Sequence, residues 1–490
     1  MLMLLKMAVG QRTKMAKPTL SSPPGPWKLP FIGNLHQMIG YPPHHRLRDL
    51  AKIYGPLMHL QLGEVSYIVV SSPEIAKEVM KTHDVNFSQR PPLLIASKYY
   101  GVDIAFAHYG DYWRALRKIC VDELLSPKRV QSFRSIREEE VSNLIRSLHS
   151  NSGLPVNLSE KIFSMTHVIT ARAAFGKKCK DQEEFISKVD EELRIAANFS
   201  IAEAFPSQKW LLWISGLGPK YEKNVQILDK ILDNIIDDRK ADKATAKTEK
   251  GQADCLLDVF LNLQDSGDLP FPLETRNIKA VIMNVFVGGS ETSSTVVEWA
   301  MLEMLKNPRA MEKAQAEVRK VFGNQGNADE TSLHELKFLK MVIKETLRLH
   351  PPAPLLLPRE SKENCVINGY FIPAKSRVLN NAWAIGRDPN YWSEAERFFP
   401  ERFIDSSVDF RGNSFELIPF GAGRRMCPGI SFGMADIELP LAQLLFHFDW
   451  KLPHGIGHEK LDMTESFGLS VRRNGHIYCI PVPFSPDSSG

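Results

Sequence analysis

A glycine-rich segment near the end of the chain contains a cysteine that could bind a metal. Residues 420–429 are Phe-Gly-Ala-Gly-Arg-Arg-Met-Cys-Pro-Gly, and an apolar helix is predicted from about Ile430. At a helix start, free backbone N–H groups and the helix dipole favour a thiolate over a thiol. Cys427 is therefore a candidate metal ligand, although a buried neutral cysteine would be the better interpretation of this segment taken alone.

A second candidate site lies in a long helical segment. Residues 274–306 have helical periodicity, which predicts a helix of about 50 Å that crosses the whole domain. Its middle, residues 288–293, combines two helix-weakening glycines with an acid and a hydroxyl. Glu291 and Thr292 could form a short proton relay. The alternative is that Thr292 bonds within the helix and Glu291 pairs with a neighbour.

The composition narrows the class of protein that must position these residues. The 490 residues are 43% hydrophobic and 24% charged, which suits a large folded core and leaves one big domain possible. The 61 basic and 57 acidic residues leave a net charge of only +4, spread along the chain, so no nucleic acid partner is indicated. The six cysteines are scattered, with no CxxC spacing for zinc and no disulfide framework.

Most of the chain contains residues that typically begin or end helices, and few segments have the alternating pattern of a strand. Strands are predicted at residues 57–62, 67–70, 366–372 and 477–482, and residues 239–254 are predicted to be a solvated loop. The fold class is therefore mainly α with small β-sheets.

The N-terminus differs from the rest of the chain. The apolar stub Met1 to Leu5 ends at Lys6, far short of the about 20 residues that span a membrane. We interpret residues 1–22 as a truncated or atypical membrane-anchor region and the proline-rich residues 23–34 as a hinge. An ordinary disordered terminus is the alternative.

The cysteine segment resembles the haem-binding loop of the cytochrome P-450 family of haem-thiolate monooxygenases. The family pattern Phe-x-x-Gly-x-Arg-x-Cys-x-Gly is matched by Phe420, Gly423, Arg425, Cys427 and Gly429. The resemblance extends from about residue 23 to about residue 483. It implies the cytochrome P-450 fold, a single catalytic domain over residues 35–490, and haem b with Cys427 as the axial ligand.

A second motif of the resemblance concerns fold stability. Glu345 and Arg348 stand at i, i+3 on one helix face and can pair, and a surface ion pair would be the default interpretation. The resemblance adds Arg402, from the Pro-Glu-Arg-Phe segment at residues 400–403, and so implies a buried structural triad.

Two haem carboxylates need cationic or N–H donors. Trp113 and Arg117 share a helix face at i, i+4 and match the family's Trp-x-x-x-Arg contact. Arg359 and Arg425 occupy the family's other propionate-binding positions. Taken singly, each arginine would be an ordinary surface residue.

The resemblance also assigns catalytic and substrate-binding positions. Glu291 and Thr292 match the acid and the threonine of the family's Gly-x-[Asp/Glu]-Thr motif and are expected to be catalytic. The segments expected to line the pocket are apolar, which predicts a lipophilic substrate held by shape. The residues assigned to this pocket are Phe106, Phe286, Val287, Gly288, Ala353, Leu355, Leu356 and Phe467.

The expected partners follow from the same resemblance. The chain has no flavin or nicotinamide motif, so electrons would come from NADPH through a separate reductase, and Lys118, Arg114 and Arg424 could meet its acidic surface. The apolar cluster Trp210 to Ile214 would dip into a bilayer, although a buried loop is the alternative. The resemblance is to plant microsomal terpenoid hydroxylases, which implies O2 as co-substrate, the cytosolic face of the endoplasmic reticulum, and a sesquiterpene or diterpene substrate.

Other functions fit the sequence less well. Residues 288–292 lack the final glycine of the GxSxG motif of serine hydrolases, and the cysteine segment lacks the dinucleotide-binding spacing. Two rivals within haem chemistry remain: a non-oxygenating haem-thiolate isomerase or dehydratase, and a non-catalytic haem-binding protein. The intact pair Glu291 and Thr292 argues against the first, and it would have no task in the second.

Overall fold

One long helix, Thr275–Lys306, runs through the middle of the structure, a computed structural model. It begins with a capping box between Glu274 and Asn277, and most of its residues are buried. A helix that is apolar around most of its circumference must be covered on several sides. The helices Leu158–Phe175, Lys337–Leu349 and Ile430–His447 provide this cover. The predicted helix over residues 274–306 is therefore confirmed, and we call it the central helix.

The structure describes most of the chain. The described residues are 20–93, 99, 101–176, 182–197, 201–208, 210–214, 216–245, 254–267, 269–323, 328–453, 457–466, 468 and 470–485. No helix among them is both long enough and apolar enough to cross a membrane.

Further helices of eight or more residues surround the central one. They are Pro43–Tyr54, Asp111–Ile119, Arg134–His149, Gln182–Ala197, Leu217–Thr245, Leu256–Ser266 and Pro308–Phe322. Shorter α-helices connect them, at Pro73–Lys77, Pro127–Ser132, Ile201–Ala204, Trp210–Ile214 and Ala382–Ile385.

The β-structure consists of small sheets at the edge of the helical body. The largest described sheet has four strands in the order Leu57–Leu62, Val65–Val70, Arg377–Asn380 and Arg359–Glu360. A three-stranded sheet has the order Val156–Asn157, Tyr478–Pro483 and Phe448–Lys451, and two-stranded pairs join Cys365–Ile367 to Tyr370–Ile372 and Glu465–Ser466 to Arg472–Arg473. The predicted class, mainly α with small sheets, is confirmed.

Two local predictions need correction. Residues 366–372 form a hairpin instead of one strand, because Asn368 and Gly369 take positive φ angles of 47° and 78° that turn the chain. Residues 239–245 are helical, because Arg239 forms an ion pair with Asp258 that holds this end of the helix Leu217–Thr245 on the body. Residues 246–253 lie outside the described residues.

The proline-rich segment 23–34 lies against the first sheet. The Pro24 carbonyl accepts the His59 N–H at 2.8 Å, and the Asn34 side-chain amide donates to the Trp27 carbonyl at 2.9 Å. Gly25 is required here, because a Cβ would lie 2.0 Å from the His59 carbonyl oxygen. That this segment is a hinge stays a prediction, and residues 1–19 of the proposed anchor region lie outside the described residues.

Candidate active site

The cysteine loop, residues 420–429, has a backbone that presents the Cys427 side chain at a helix start. The Cys427 N–H donates to the Phe420 carbonyl at 3.0 Å, which closes the loop. Gly423 has φ 69°, and a Cβ there would lie 2.0 Å from the Met80 carbonyl oxygen, so only glycine fits. Gly429 caps the helix Ile430–His447, and its N–H donates to Cys427 Sγ at 3.4 Å.

The electrostatics of Cys427 suit a metal ligand. Burial raises the pKa of this thiol, while the Gly429 N–H and the positive charge of Arg117 act in the opposite direction. A buried thiolate is costly without a compensating cation. A metal bound by Sγ would supply that cation, and the donor is the one that haem-thiolate iron requires.

Buried arginines cluster near the cysteine loop. Arg359 donates to Asp84 Oδ1 at 3.1 Å and to the Ala422 carbonyl at 2.8 Å. Arg425 donates to the Ser88 carbonyl at 2.9 Å and also to the Ala107 carbonyl.

Arg90 joins this cluster from a neighbouring loop. It donates to the carbonyls of Ala105, Leu357 and Pro358 at 2.7–3.0 Å. Arg90 is not predicted as a site residue from the sequence, where its only distinguishing feature is that two prolines follow it.

These arginines carry more positive charge than the acids beside them neutralise. Burial lowers the pKa of Arg90, Arg359 and Arg425, and repulsion within the cluster lowers the pKa of Arg90 and of Arg425, the latter to about 9. Asp84 is shared with the exposed Arg424, and burial raises the pKa of Asp103 to about 6. Two additional carboxylates would balance this cluster, and the haem propionates fit that need.

Trp113 supports the arginines through its ring. Its indole N–H donates to the Ile104 carbonyl at 3.0 Å, so that donor is already used. The Arg425 guanidinium lies 4.2 Å from the ring centroid, and that of Arg117 lies 6.0 Å from it. Trp113 thus orients two of the predicted cofactor-binding residues by cation–π contact.

The midpoint of the central helix has one open face. Gly288 is exposed although it belongs to a core helix, and a Cβ added to it would meet nothing within 4 Å. Thr292 lies one turn further on the same face, and its hydroxyl donates to the Gly288 carbonyl at 2.6 Å. Gly289 instead packs against Phe432, from the helix after Cys427, where a Cβ would lie 3.1 Å from the ring.

Glu291 lies on a buried side of the central helix. Its Oε1 accepts from the Ser470 hydroxyl at 2.5 Å, and its Oε2 forms an ion pair with Arg472. None of the hydrogen bonds in the described part of the chain joins Glu291 to Thr292. The structure therefore shows the contacts of the alternative interpretation, with Thr292 bonded within the helix and Glu291 paired with a neighbour.

The predicted triad forms around a fully buried carboxylate. Glu345 accepts from Arg348 Nε and Nη2 at 2.7 and 2.8 Å, and from Arg402 Nε at 2.9 Å. It also accepts the Phe399 N–H at 2.8 Å. These contacts tie the helix Lys337–Leu349 to the segment that precedes the cysteine loop.

The predicted pocket residues separate into two groups. Phe286 is fully buried against Phe185 and His167, so its assignment to the pocket is wrong. Phe286 precedes Gly288 by two residues on the central helix, so its side chain points away from the face on which Gly288 lies. Phe467 lies outside the described residues. The residues that remain partly exposed or exposed in the structure are Phe106, Val287, Gly288, Ala353, Leu355 and Leu356.

This site has a distinct chemical identity. A cysteine at a helix start offers a soft donor that would bind iron, and the surplus of buried arginines offers cations that would bind two carboxylates. Within a mainly helical fold, these features define the class of haem-thiolate proteins.

Comparison with known proteins identifies the family. The cytochrome P-450 family model matches residues 23–480. The chain therefore belongs to the cytochrome P-450 family and is a monooxygenase that uses haem, with NADPH electrons supplied by a reductase.

Similar proteins cover nearly the whole chain. It is 56% identical to tabersonine 16-hydroxylase 2 of Catharanthus roseus, covering 97% of this chain and 94% of that one. It is 52% identical to premnaspirodiene oxygenase of Hyoscyamus muticus, covering 95% of this chain and 93% of that one. A zebra fish cytochrome P-450 solved with abiraterone has a TM-score of 0.77 and 25% identity, covering 90% of this chain and 99% of that one. The two plant enzymes are thus named as a hydroxylase and an oxygenase.

Proposed function

We propose that this protein hydroxylates a neutral lipophilic terpenoid, a sesquiterpene or diterpene, at the open face of the central helix. O2 is the co-substrate, and electrons come from NADPH through a separate membrane-bound reductase. The observation that carries the proposal is the absence of an available carboxylate at this face in the described part of the chain. A cationic amine would need such a partner.

Three acids near the site are already committed. Asp84 and Asp103 lie among the buried arginines, and Glu291 is paired with Arg472. The side chains left to contact a substrate are apolar. Leu356 lies beside the cysteine loop, where its Cδ1 would be 3.8 Å from a Cβ on Gly421.

Phe106 follows a segment tied to the central helix. The Ala105 N–H donates to Asn284 Oδ1 at 3.1 Å, one turn before Gly288. A substrate in contact with Phe106, Leu356 and Gly288 would gain binding energy from apolar area, at about 25 cal/mol per Å² buried. The similarity to premnaspirodiene oxygenase supports this class of substrate.

The chain's own residues have separate tasks in the proposed mechanism. Haem, when bound, would supply the activation of O2; Cys427 would hold its iron, and Arg90, Arg359 and Arg425 would bind its carboxylates. Thr292 holds a hydroxyl at the open face, where it can pass a proton toward the reacting oxygen. Gly288 leaves room there for O2 and substrate.

The proposed reductase surface is basic and lies beside Cys427. Lys118 is exposed and forms no ion pair in the described part of the chain. Arg114 and Arg424 are exposed too, but they pair with Asp111 and Asp84. Lys118 is therefore the cation of this group that is most available to an acidic partner.

Membrane attachment is proposed from the helix Trp210–Ile214. Trp210, Trp213 and Ile214 are 55%, 61% and 76% exposed, so the buried-loop alternative is wrong. Tryptophans on an exposed apolar helix favour a bilayer interface. We infer that this surface faces the cytosolic leaflet of the endoplasmic reticulum membrane.

The experiment uses the full-length protein with a plant reductase and NADPH. A panel of sesquiterpenes and diterpenes is compared with neutral and protonated alkaloids, and the Soret shift and hydroxylated products are measured under ¹⁸O₂. Incorporation of one ¹⁸O atom into a terpenoid is expected. Turnover of alkaloids alone would overturn the substrate assignment, and rearrangement without ¹⁸O would favour the isomerase alternative.

A further inference from the structure

His167 has a buried ring nitrogen that the proposed mechanism does not yet use. Its Nδ1 lies 2.8 Å from the Phe163 carbonyl oxygen, which can only accept, so Nδ1 carries the proton. The Nε2 of the neutral ring is then a bare acceptor. It is buried, and it has no hydrogen-bond partner among the described residues.

This nitrogen faces two carboxylates. Nε2 lies 3.8 Å from Asp190 Oδ1, and the ligand atoms of His167, Asp190 and Glu291 all lie within 4.8 Å of one another. Three acceptors at such distances require a shared proton or a bridging water to be stable. A metal ion is disfavoured because Arg472 already neutralises Glu291.

Asp190 connects this cluster to solvent. Its side chain is 32% exposed, whereas His167 and Glu291 are buried. Burial and the nearby Glu291 raise the pKa of Asp190 to about 6, against the opposing charges of Arg472 and Arg194. Burial lowers the pKa of His167 to about 4. Asp190 can therefore exchange a proton with solvent around pH 6 and pass it to a ring that stays neutral between transfers.

Ser470 and Arg472 fix the direction of the Glu291 carboxylate. Both come from the segment around the strand Arg472–Arg473, and each binds a different oxygen of Glu291. The Arg472 guanidinium lies 3.8 Å from the centroid of the Phe163 ring. The backbone carbonyl of Phe163 also accepts the hydrogen bond from His167 Nδ1. The same turn of helix therefore orients both His167 and Arg472.

We propose that Asp190 and His167 form a proton inlet that supplies Glu291, with Ser470 and Arg472 as positioning residues. The inference rests on the proposed oxygenase function. One proton leaves the Asp190 carboxyl for His167 Nε2, directly or through water, and then moves to Glu291. From there it needs water to reach Thr292, because no hydrogen bond of the described residues joins Glu291 to Thr292. Asp190 regains a proton from solvent, so each passage moves one proton and changes no oxidation state.

The first test compares Asp190→Asn and His167→Gln with Glu191→Gln. Glu191 is a matched control, because it neighbours Asp190 on the same helix but pairs with Lys188 and Lys220. Product, peroxide and NADPH are measured in H2O and D2O. We expect several-fold less product per NADPH, more peroxide and a larger solvent isotope effect in the two inlet variants. Values equal to those of Glu191→Gln would overturn the inlet.

The second test needs no turnover. The infrared difference spectrum of the holoenzyme between pH 4 and 8, wild type minus Asp190→Asn, should show a protonated carboxyl band that disappears with a midpoint near pH 6. Asp103, whose pKa burial also raises to about 6, contributes to both proteins and cancels in this subtraction. Absence of this band from the subtracted spectrum would overturn the assignment. Failure of the proposed function looks different, because wild type would then lack a thiolate-type carbon monoxide spectrum or would form no oxygenated product, while this band would be unchanged.

Discussion

The N–H of Gly429 donates to Cys427 Sγ across 3.4 Å. Gly429 caps the helix that follows the cysteine loop, so the start of this helix stabilises the thiolate form of Cys427. The bond depends on the sulfur charge, because a charged acceptor strengthens a hydrogen bond. The same N–H would be less satisfied by a neutral thiol. Gly429 therefore tunes the proposed axial ligand as well as starting the helix.

The first prediction concerns this sulfur. Cys427→Ser should abolish the red-shifted carbon monoxide difference spectrum of the reduced protein and product formation, because an alcohol cannot replace the thiolate donor. The measurement is the Soret region after reduction and carbon monoxide addition. Cys365→Ser, at a cysteine of the small hairpin, is the control and should keep the spectrum. An unchanged spectrum in Cys427→Ser would remove Cys427 as the ligand.

The second prediction concerns the buried triad. Glu345→Ala leaves Arg348 and Arg402 without their shared carboxylate, and breaking a buried pair costs about 3–5 kcal/mol. The midpoint of urea unfolding should fall sharply, with less haem retained. Glu401→Ala is the control, because Glu401 forms a partly exposed ion pair with Lys313. Losing this pair should lower the free energy of unfolding by about 1 kcal/mol or less. Equal losses in both variants would contradict a special role for Glu345.

Much of this architecture can be predicted because its signals are local. The spacing of Phe420 and Cys427 indicates the loop, and the periodicity of residues 274–306 indicates the central helix. The partner of Glu291 has no local signal, since Arg472 is 181 residues away and meets it only after folding. Arg90 was missed for the same reason, because the carbonyls that bind it come from other loops.

The side chains on the central helix show a second limit. A hydrophobic pattern indicates that Phe286 and Val287 are apolar positions, but it does not distinguish the face toward the open site from the face toward neighbouring helices. The structure makes this distinction, since Phe286 packs on Phe185 and Gly288 faces open space. Packing of the helix Gln182–Ala197 decides which face is covered.

The third prediction tests the hydroxyl at the open face. Thr292→Ala removes the group that donates to the Gly288 carbonyl and should lower the rate of product formation by up to about 100-fold, the lower end of general acid–base effects. Peroxide release should rise while NADPH is still consumed. Ser294→Ala is the control, because its hydroxyl donates to the Glu291 carbonyl within the covered helix. Unchanged coupling in Thr292→Ala would contradict the role.

The fourth prediction concerns the pH dependence of stability. Burial raises the pKa of Asp436 to about 8, and neither carboxylate oxygen has a hydrogen-bond partner among the described residues. Because the pKa of Asp436 is raised in the folded state, its contribution to stability is complete below its unfolded-state pKa near 4. It is lost as pH rises toward 8. Asp436→Asn should therefore raise the thermal midpoint at pH 8 but not at pH 4.

The matched control for this measurement is Asp405→Asn, because Asp405 is exposed at the surface. Its thermal midpoint should follow wild type at every pH. If Asp436→Asn also followed wild type between pH 4 and 8, the buried carboxyl would have an ordinary pKa and would be paired in solution.

The fifth prediction concerns the exposed helix Trp210–Ile214. Trp213→Ser should weaken binding to anionic and neutral lipid vesicles by about tenfold or more, because an aromatic side chain contributes roughly 1.5–3 kcal/mol when it leaves water. Co-sedimentation with vesicles measures the bound fraction. Tyr391→Ser, at an exposed aromatic on another segment, is the control and should bind as wild type does. Equal loss of binding in both variants would indicate nonspecific binding of exposed aromatic side chains to the vesicles. No loss in Trp213→Ser would mean that another surface contacts the bilayer.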